Sequence, residues 1–103
     1  MALMCLFIKQ SKREEKLMIR EDFRFRNVCR NAIKRFYKQM DYEITDDDIF
    51  IVWQCKTLQN WKAMASTYIS DGRYFEITYN GDKDELYLDA YKKEHNECIK
   101  LGV

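Results

Sequence analysis

Residues 62–79 read KAMASTYISDGRYFEITY, and this stretch decides the fold. Lys62–Ile69 and Arg73–Tyr79 both have strand composition, and Asp71-Gly72 stands between them. A tight turn between antiparallel strands uses backbone of positive φ, which Gly adopts without steric cost and Asp tolerates. The prediction is a β-hairpin turning on those two residues.

Downstream, residues 80–84 form a second turn around Gly81. In Glu85–Tyr91 the residues Leu86, Leu88 and Ala90 alternate with Tyr87, Asp89 and Tyr91, which is the period of another strand. Upstream, Ile49–Cys55 is an apolar, β-branched and aromatic run too short for a typical helix, so it is read as the first strand. The segment QCKTLQNWKA, residues 54–63, then contains the loop to the second strand, longer than a minimal hairpin needs. Before the first strand, EITDDD (43–48) is a turn in which Thr45 caps local backbone and three aspartates face solvent.

From Met18 to about Met40 there is no Pro or Gly, and Glu21 and Asp22 suit the first turn of a helix dipole. Phe25, Val28, Cys29, Ala32, Ile33, Phe36 and Met40 recur at spacings of three and four, which makes one buried stripe. The tail KKEHNECIKL (92–101) is read as a short helix. The expected class is α+β, with a long N-terminal helix packed on a four-stranded antiparallel meander and a short C-terminal helix. Alternation places Ile49, Ile51, Trp53, Phe75, Ile77, Tyr79, Leu86 and Leu88 against the helix. It leaves Gln54, Lys56, Tyr74, Glu76, Thr78, Tyr87, Asp89 and Tyr91 on the other side, together with Phe50 and Val52.

The chain has 103 residues, 47% hydrophobic and 15% aromatic, which fits one folded domain over 18–103. Glu14-Glu15, back-translated, holds the purine-rich core of a bacterial ribosome-binding site ahead of Met18. Residues 1–17 are therefore expected to be either an upstream extension of the reading frame or a short disordered N-terminal arm. The apolar run Met1–Ile8 is far below the ~20 residues of a membrane span, and its basic residues follow it instead of preceding it as in a signal peptide.

Four cysteines, Cys5, Cys29, Cys55 and Cys98, are widely spaced without a CxxC pair, as expected of reduced thiols in a cytoplasm. Cys29, Cys55, Cys98 and His95 have the right chemistry for zinc, yet only His95 and Cys98 are close in sequence, so no metal or other cofactor is expected. There is no phosphate-binding glycine loop and no nucleophile elbow, and His95 lies in a polar tail. An enzyme is not expected.

Charge is segregated. Residues 1–42 hold 11 Lys and Arg against 5 Asp and Glu, while residues 43–103 hold 7 against 12. Arg26, Arg30, Lys34 and Lys38, each four residues from the last, form a basic row on the helix that would suit nucleic acid.

The stretches ITDDDIFIVWQCKTLQNWKAMAS (44–66) and SDGRYFEITYNGDKDELYLDAYKK (70–93) resemble a family of small phage and prophage proteins of Gram-positive bacteria such as streptococci and enterococci. The likeness spans about Met18–Ile99 and is most specific in CKTLQNWKA (55–63) and YNGDKDELYLDAYKK (79–93). The resemblance implies a source and a bacterial cytoplasm, and a domain of unknown function without assigned catalytic residues.

Two readings of Trp61 stay open: a packing cluster in which Leu58 anchors the loop, or one end of a partner-binding surface. The second would combine Lys56, Gln59, Asn60, Trp61 and Lys62 with Tyr74, Tyr87 and Tyr91, because aromatic anchors within a polar rim concentrate interface energy. The expected function is protein–protein interaction with a host or phage protein. Homo-oligomerisation would shelter Phe50 and Val52, and nucleic-acid binding through the basic row is the alternative.

Overall fold

A computed structural model describes residues 19–102; the expected extension or arm at 1–17, and a start at Met18, lie outside the described residues. Helix α1, Asp22–Lys38, is followed by a 3-10 turn, Asp46–Asp48. Four strands follow: β1 (Ile49–Thr57), β2 (Asn60–Thr67), β3 (Arg73–Asn80) and β4 (Glu85–Lys92). They form one antiparallel meander in the order β1-β2-β3-β4.

The helix exists because one side of it is apolar at a spacing of four: Phe25, Cys29, Ile33 and Tyr37 are buried. Beneath lie Trp61, Ala63, Ala65, Phe75, Ile77 and Tyr79. Ala63 and Ala65 have no accessible surface, so the middle of the sheet presents short side chains to the helix layer. Larger rings close the two ends: Phe25 stacks on Trp61 with centroids 5.0 Å apart, and Phe36 and Tyr37 meet Phe75 at 5.3 and 5.9 Å.

Both ends of α1 fall inside the predicted span, for identifiable reasons. Ile19 is buried before the helix begins, and its carbonyl accepts the Trp61 indole N–H at 2.8 Å instead of an intrahelical donor. At the other end Asp41 takes a left-handed φ of 57°, and the Tyr42 N–H reaches back to the Tyr37 carbonyl at 3.0 Å, the pattern of a Schellman cap. Met40, expected in the buried stripe, is exposed, and Tyr37 takes its place.

Three further expectations are corrected. The β1–β2 connection is a two-residue turn, Leu58-Gln59, because both strands run on until Thr57 faces Asn60. Leu58 adopts φ 58° at its tip and is exposed, so it anchors nothing. The β2–β3 connection is longer than the predicted two-residue turn: β2 stops at Thr67, whose hydroxyl accepts the Ile69 N–H, and only Gly72 has positive φ. Residues 93–102 are not a helix; Lys93 donates its N–H to the Gly72 carbonyl, and Ile99 and Leu101 are exposed with no stripe to bury.

Asp71 instead ties the hairpin to the helix. Its carboxylate accepts the Tyr37 hydroxyl at 2.6 Å, the Arg73 backbone N–H at 3.1 Å and the Arg73 guanidinium at 2.9 Å. Burial alone would raise the Asp71 carboxyl, but these donors outweigh it and hold the group below its ordinary 3.8. Burial, then the hydrogen bond to Asp71, pushes the Tyr37 phenol above its ordinary 10.0. A carboxyl depressed in the folded state contributes stability above its unfolded pKa and loses it as pH falls through the folded value. Asp71→Asn should therefore cost about 1–3 kcal/mol at neutral pH and flatten the acid limb of a urea-midpoint profile below pH 3.8.

Candidate protein-binding face

The face of the sheet turned away from α1 is covered by no other element among the described residues. Register fixes what it shows. Phe50, Ser66, Tyr74 and Tyr91 make one rung, Trp53, Met64, Glu76 and Asp89 the next, and Cys55, Lys62, Thr78 and Tyr87 the third.

Trp53 belongs here through a departure from the predicted alternation. A bulge between Ile51 and Trp53 inserts one residue into β1, so Ile51 opposes Ala65 on the helix side while Trp53 opposes Met64 on the open side. Val52 sits in the bulge, 54% exposed, and Trp53 is 42% exposed. The same shift carries Gln54 and Lys56, expected on the open face, round to the helix side opposite Ala63 and Trp61.

The rings are ordered by neighbours. Tyr74 and Tyr91 stack with centroids 5.1 Å apart, and Phe50 meets Tyr68 at 4.9 Å. Tyr91 is directed to Glu76 at 3.4 Å, which also pairs with Lys62 at 3.4 Å, and Tyr87 donates to Glu85 at 2.6 Å. The Glu76 carboxylate pushes the Tyr91 phenol up, and the hydrogen bond to Glu85 does the same at Tyr87. Both hydroxyls stay protonated donors at neutral pH. Glu76, Glu85 and Asp89 outnumber Lys62 on this face, so it is acidic as well as aromatic.

The residues expected to form one partner surface divide into three groups. Lys62, Tyr74, Tyr87 and Tyr91 share the open face. Trp61 does not: it is 6% exposed, stacked on Phe25, with Lys56 5.9 Å above its ring on the helix side. Of the two readings of Trp61, packing is the one its burial supports. Gln59 and Asn60 join the two turns at one end of the sheet, Gln59 donating to Asp82 and Asn60 accepting the Gly81 N–H at 2.9 Å. Of the self-association pair, Val52 is exposed and Phe50 half-buried beside Tyr68.

On the helix, Arg26 is 3.6 Å from Asp22 and Lys34 is 2.7 Å from Asp46, so half of the basic row is already paired. Cys29 lies in the core, its thiol pushed up to about 12 by burial, whereas Cys55 and Cys98 are exposed. Among the described residues no three His, Cys, Asp or Glu gather as a metal site, and no helix is long and apolar enough to cross a membrane.

Residues 26–101 match the family described as Family of unknown function (DUF6275), and the chain belongs to that family. No curated protein and no solved structure matches it.

Gly81 is needed for close approach: a Cβ there would collide with the Gln59 carbonyl and side chain. Gly81→Ala is expected to lower stability by about 1–3 kcal/mol, whereas Gly102→Ala, in open space, should leave the denaturation midpoint unchanged. In a Cys5→Ser background, a thiol reagent should titrate Cys55 and Cys98 in the native protein and reach Cys29 only after denaturation.

Proposed function

We propose that this family member is a small phage or prophage accessory protein of Gram-positive bacteria, acting in the host cytoplasm by binding a host or phage protein and modulating a host process without catalysis. The observation that carries the interaction reading is the group Phe50, Trp53, Tyr74 and Tyr91, gathered on a sheet face that no element covers among the described residues. Aromatic side chains supply large contact area at small entropic cost and are enriched among the residues that dominate binding energy. The phage assignment rests on the resemblance carried by CKTLQNWKA and YNGDKDELYLDAYKK.

The chemistry of the face selects a partner class. Arginine stacks on tyrosine rings and pairs with carboxylates, so a partner presenting Arg beside apolar groups complements Tyr74, Tyr91, Glu76 and Asp89. Nucleic acid is disfavoured on this side because its phosphates would meet those carboxylates. The nucleic-acid alternative retains Arg30 and Lys38 of the helix, with Arg26 and Lys34 engaged in ion pairs.

A pull-down from host lysate, with and without nuclease and at two salt concentrations, compares the parent chain with Trp53→Ala and with Tyr74→Ala/Tyr91→Ala. One protein should be recovered stoichiometrically, resistant to both treatments. Each variant should lose about 2 kcal/mol of binding, roughly 30-fold in Kd. Unchanged recovery by both variants would end the open-face reading, and recovery abolished by nuclease would transfer the function to the helix.

A further inference from the structure

The meander has two edges, β1 and β4, and they are not alike. β1 is broken by its bulge, a device that makes an edge a poor template for another strand. β4 pairs with β3 in unbroken register from Glu85 to Lys92, and among the described residues no strand pairs with its far side. Among the described residues the helix layer above it is incomplete: Leu86 and Leu88 are only half-buried and Ala90 is exposed. Leu86 and Leu88 floor a groove walled by Ala32, Arg35 and Phe36 of α1.

We propose that the occupant of this edge is a second copy of the chain, added antiparallel along β4 about a two-fold axis at Leu88 to make an eight-stranded sheet. The charges of β4 select that register. Centred on Leu88, Leu88 faces its own copy, Leu86 faces Ala90, Tyr87 faces Asp89 and Glu85 faces Tyr91. Apolar groups meet on the helix side and phenol meets carboxylate on the open side. A slip of two residues one way sets Glu85 against Asp89; the other way sets Asp89 against itself and Leu86 against Lys92. A slip of one would put the helix layer of one copy beside the open face of the other. Charges that usually keep an edge solitary here reject the neighbouring registers and leave this one.

The contact shares Tyr87, Asp89 and Tyr91 with the open face but not Trp53 or Tyr74, so variants at those two positions distinguish failure of one from failure of the other. The test uses the full chain with Cys5, Cys55 and Cys98 changed to Ser, examined by sedimentation and by oxidative cross-linking. The parent should sediment as a dimer, and Leu88→Cys should cross-link to its copy because the two Cβ atoms are neighbours across the axis. Ala90→Cys should not, since the two copies of position 90 lie four residues apart along the strand, about 14 Å at ~3.4 Å per residue. Leu88→Glu should be monomeric with unchanged circular dichroism, and Trp53→Ala and Tyr74→Ala should remain dimeric. A monomeric parent at every concentration, cross-linking of Ala90→Cys as readily as Leu88→Cys, or loss of the dimer in the open-face variants would each overturn the proposal.

Discussion

One helix about 10 Å across cannot cover four strands set about 4.8 Å apart, and this mismatch of widths shapes the whole molecule. The apolar stripe Phe25, Cys29, Ile33 and Tyr37 meets the centre of the sheet, where Ala63 and Ala65 leave room for it. Burial is therefore complete at Phe75 and Ile77 and incomplete at Leu86 and Leu88, one strand further out. The opposite face receives no cover from the described chain at all. Among the described residues the helix closes one layer interface and leaves the remaining apolar surface of the sheet uncovered.

What does lie uncovered is not ordinary core material. A face awaiting a second helix would be aliphatic, whereas this one carries Tyr74, Tyr87 and Tyr91, the last two with hydroxyls directed to Glu85 and Glu76. Rings with polar tips tolerate water when free and exclude it when bound, which lets the same surface serve both states. Trp61 follows the opposite logic: its indole N–H is satisfied by Ile19 and its ring by Phe25, so its area stabilises the fold and is withdrawn from any interface.

Much of the fold was legible in the sequence, and each misreading has its own physical cause. The helix stripe, the four strands and their meander order follow from periodicity, which survives small errors of boundary. Side-chain parity does not. Ile49–Trp53 is apolar at every position, so alternation is silent there, and one bulged residue at Val52 sends Trp53 to the face opposite the one expected. The QCKTLQNWKA segment misled differently: its polarity implied a loop, but its backbone pairs through Thr57 and Asn60 and forces Leu58 into a conformation no propensity would assign it. Tail residues 93–102 have some helix-forming composition, yet ten residues without an apolar stripe gain nothing from tertiary packing. Legibility ended wherever the outcome depended on a partner distant in sequence.

The segregation of charge takes on a spatial meaning in this arrangement. The basic helix α1 forms the layer above the sheet, and the carboxylates Glu76, Glu85 and Asp89 lie on the face below it. A formal net charge of +1 therefore conceals a molecule with two electrically distinct sides. Long-range attraction orients a charged partner before contact, within about 10 Å at 0.1 M salt. A cationic protein surface is drawn toward the tyrosines and repelled by the helix, while a polyanion experiences the reverse. The helix offers such a polyanion a row already half neutralised by Asp22 and Asp46. Among the described residues, aromatic area and negative charge coincide on the open face, and that coincidence is what supports the proposal that it binds a partner.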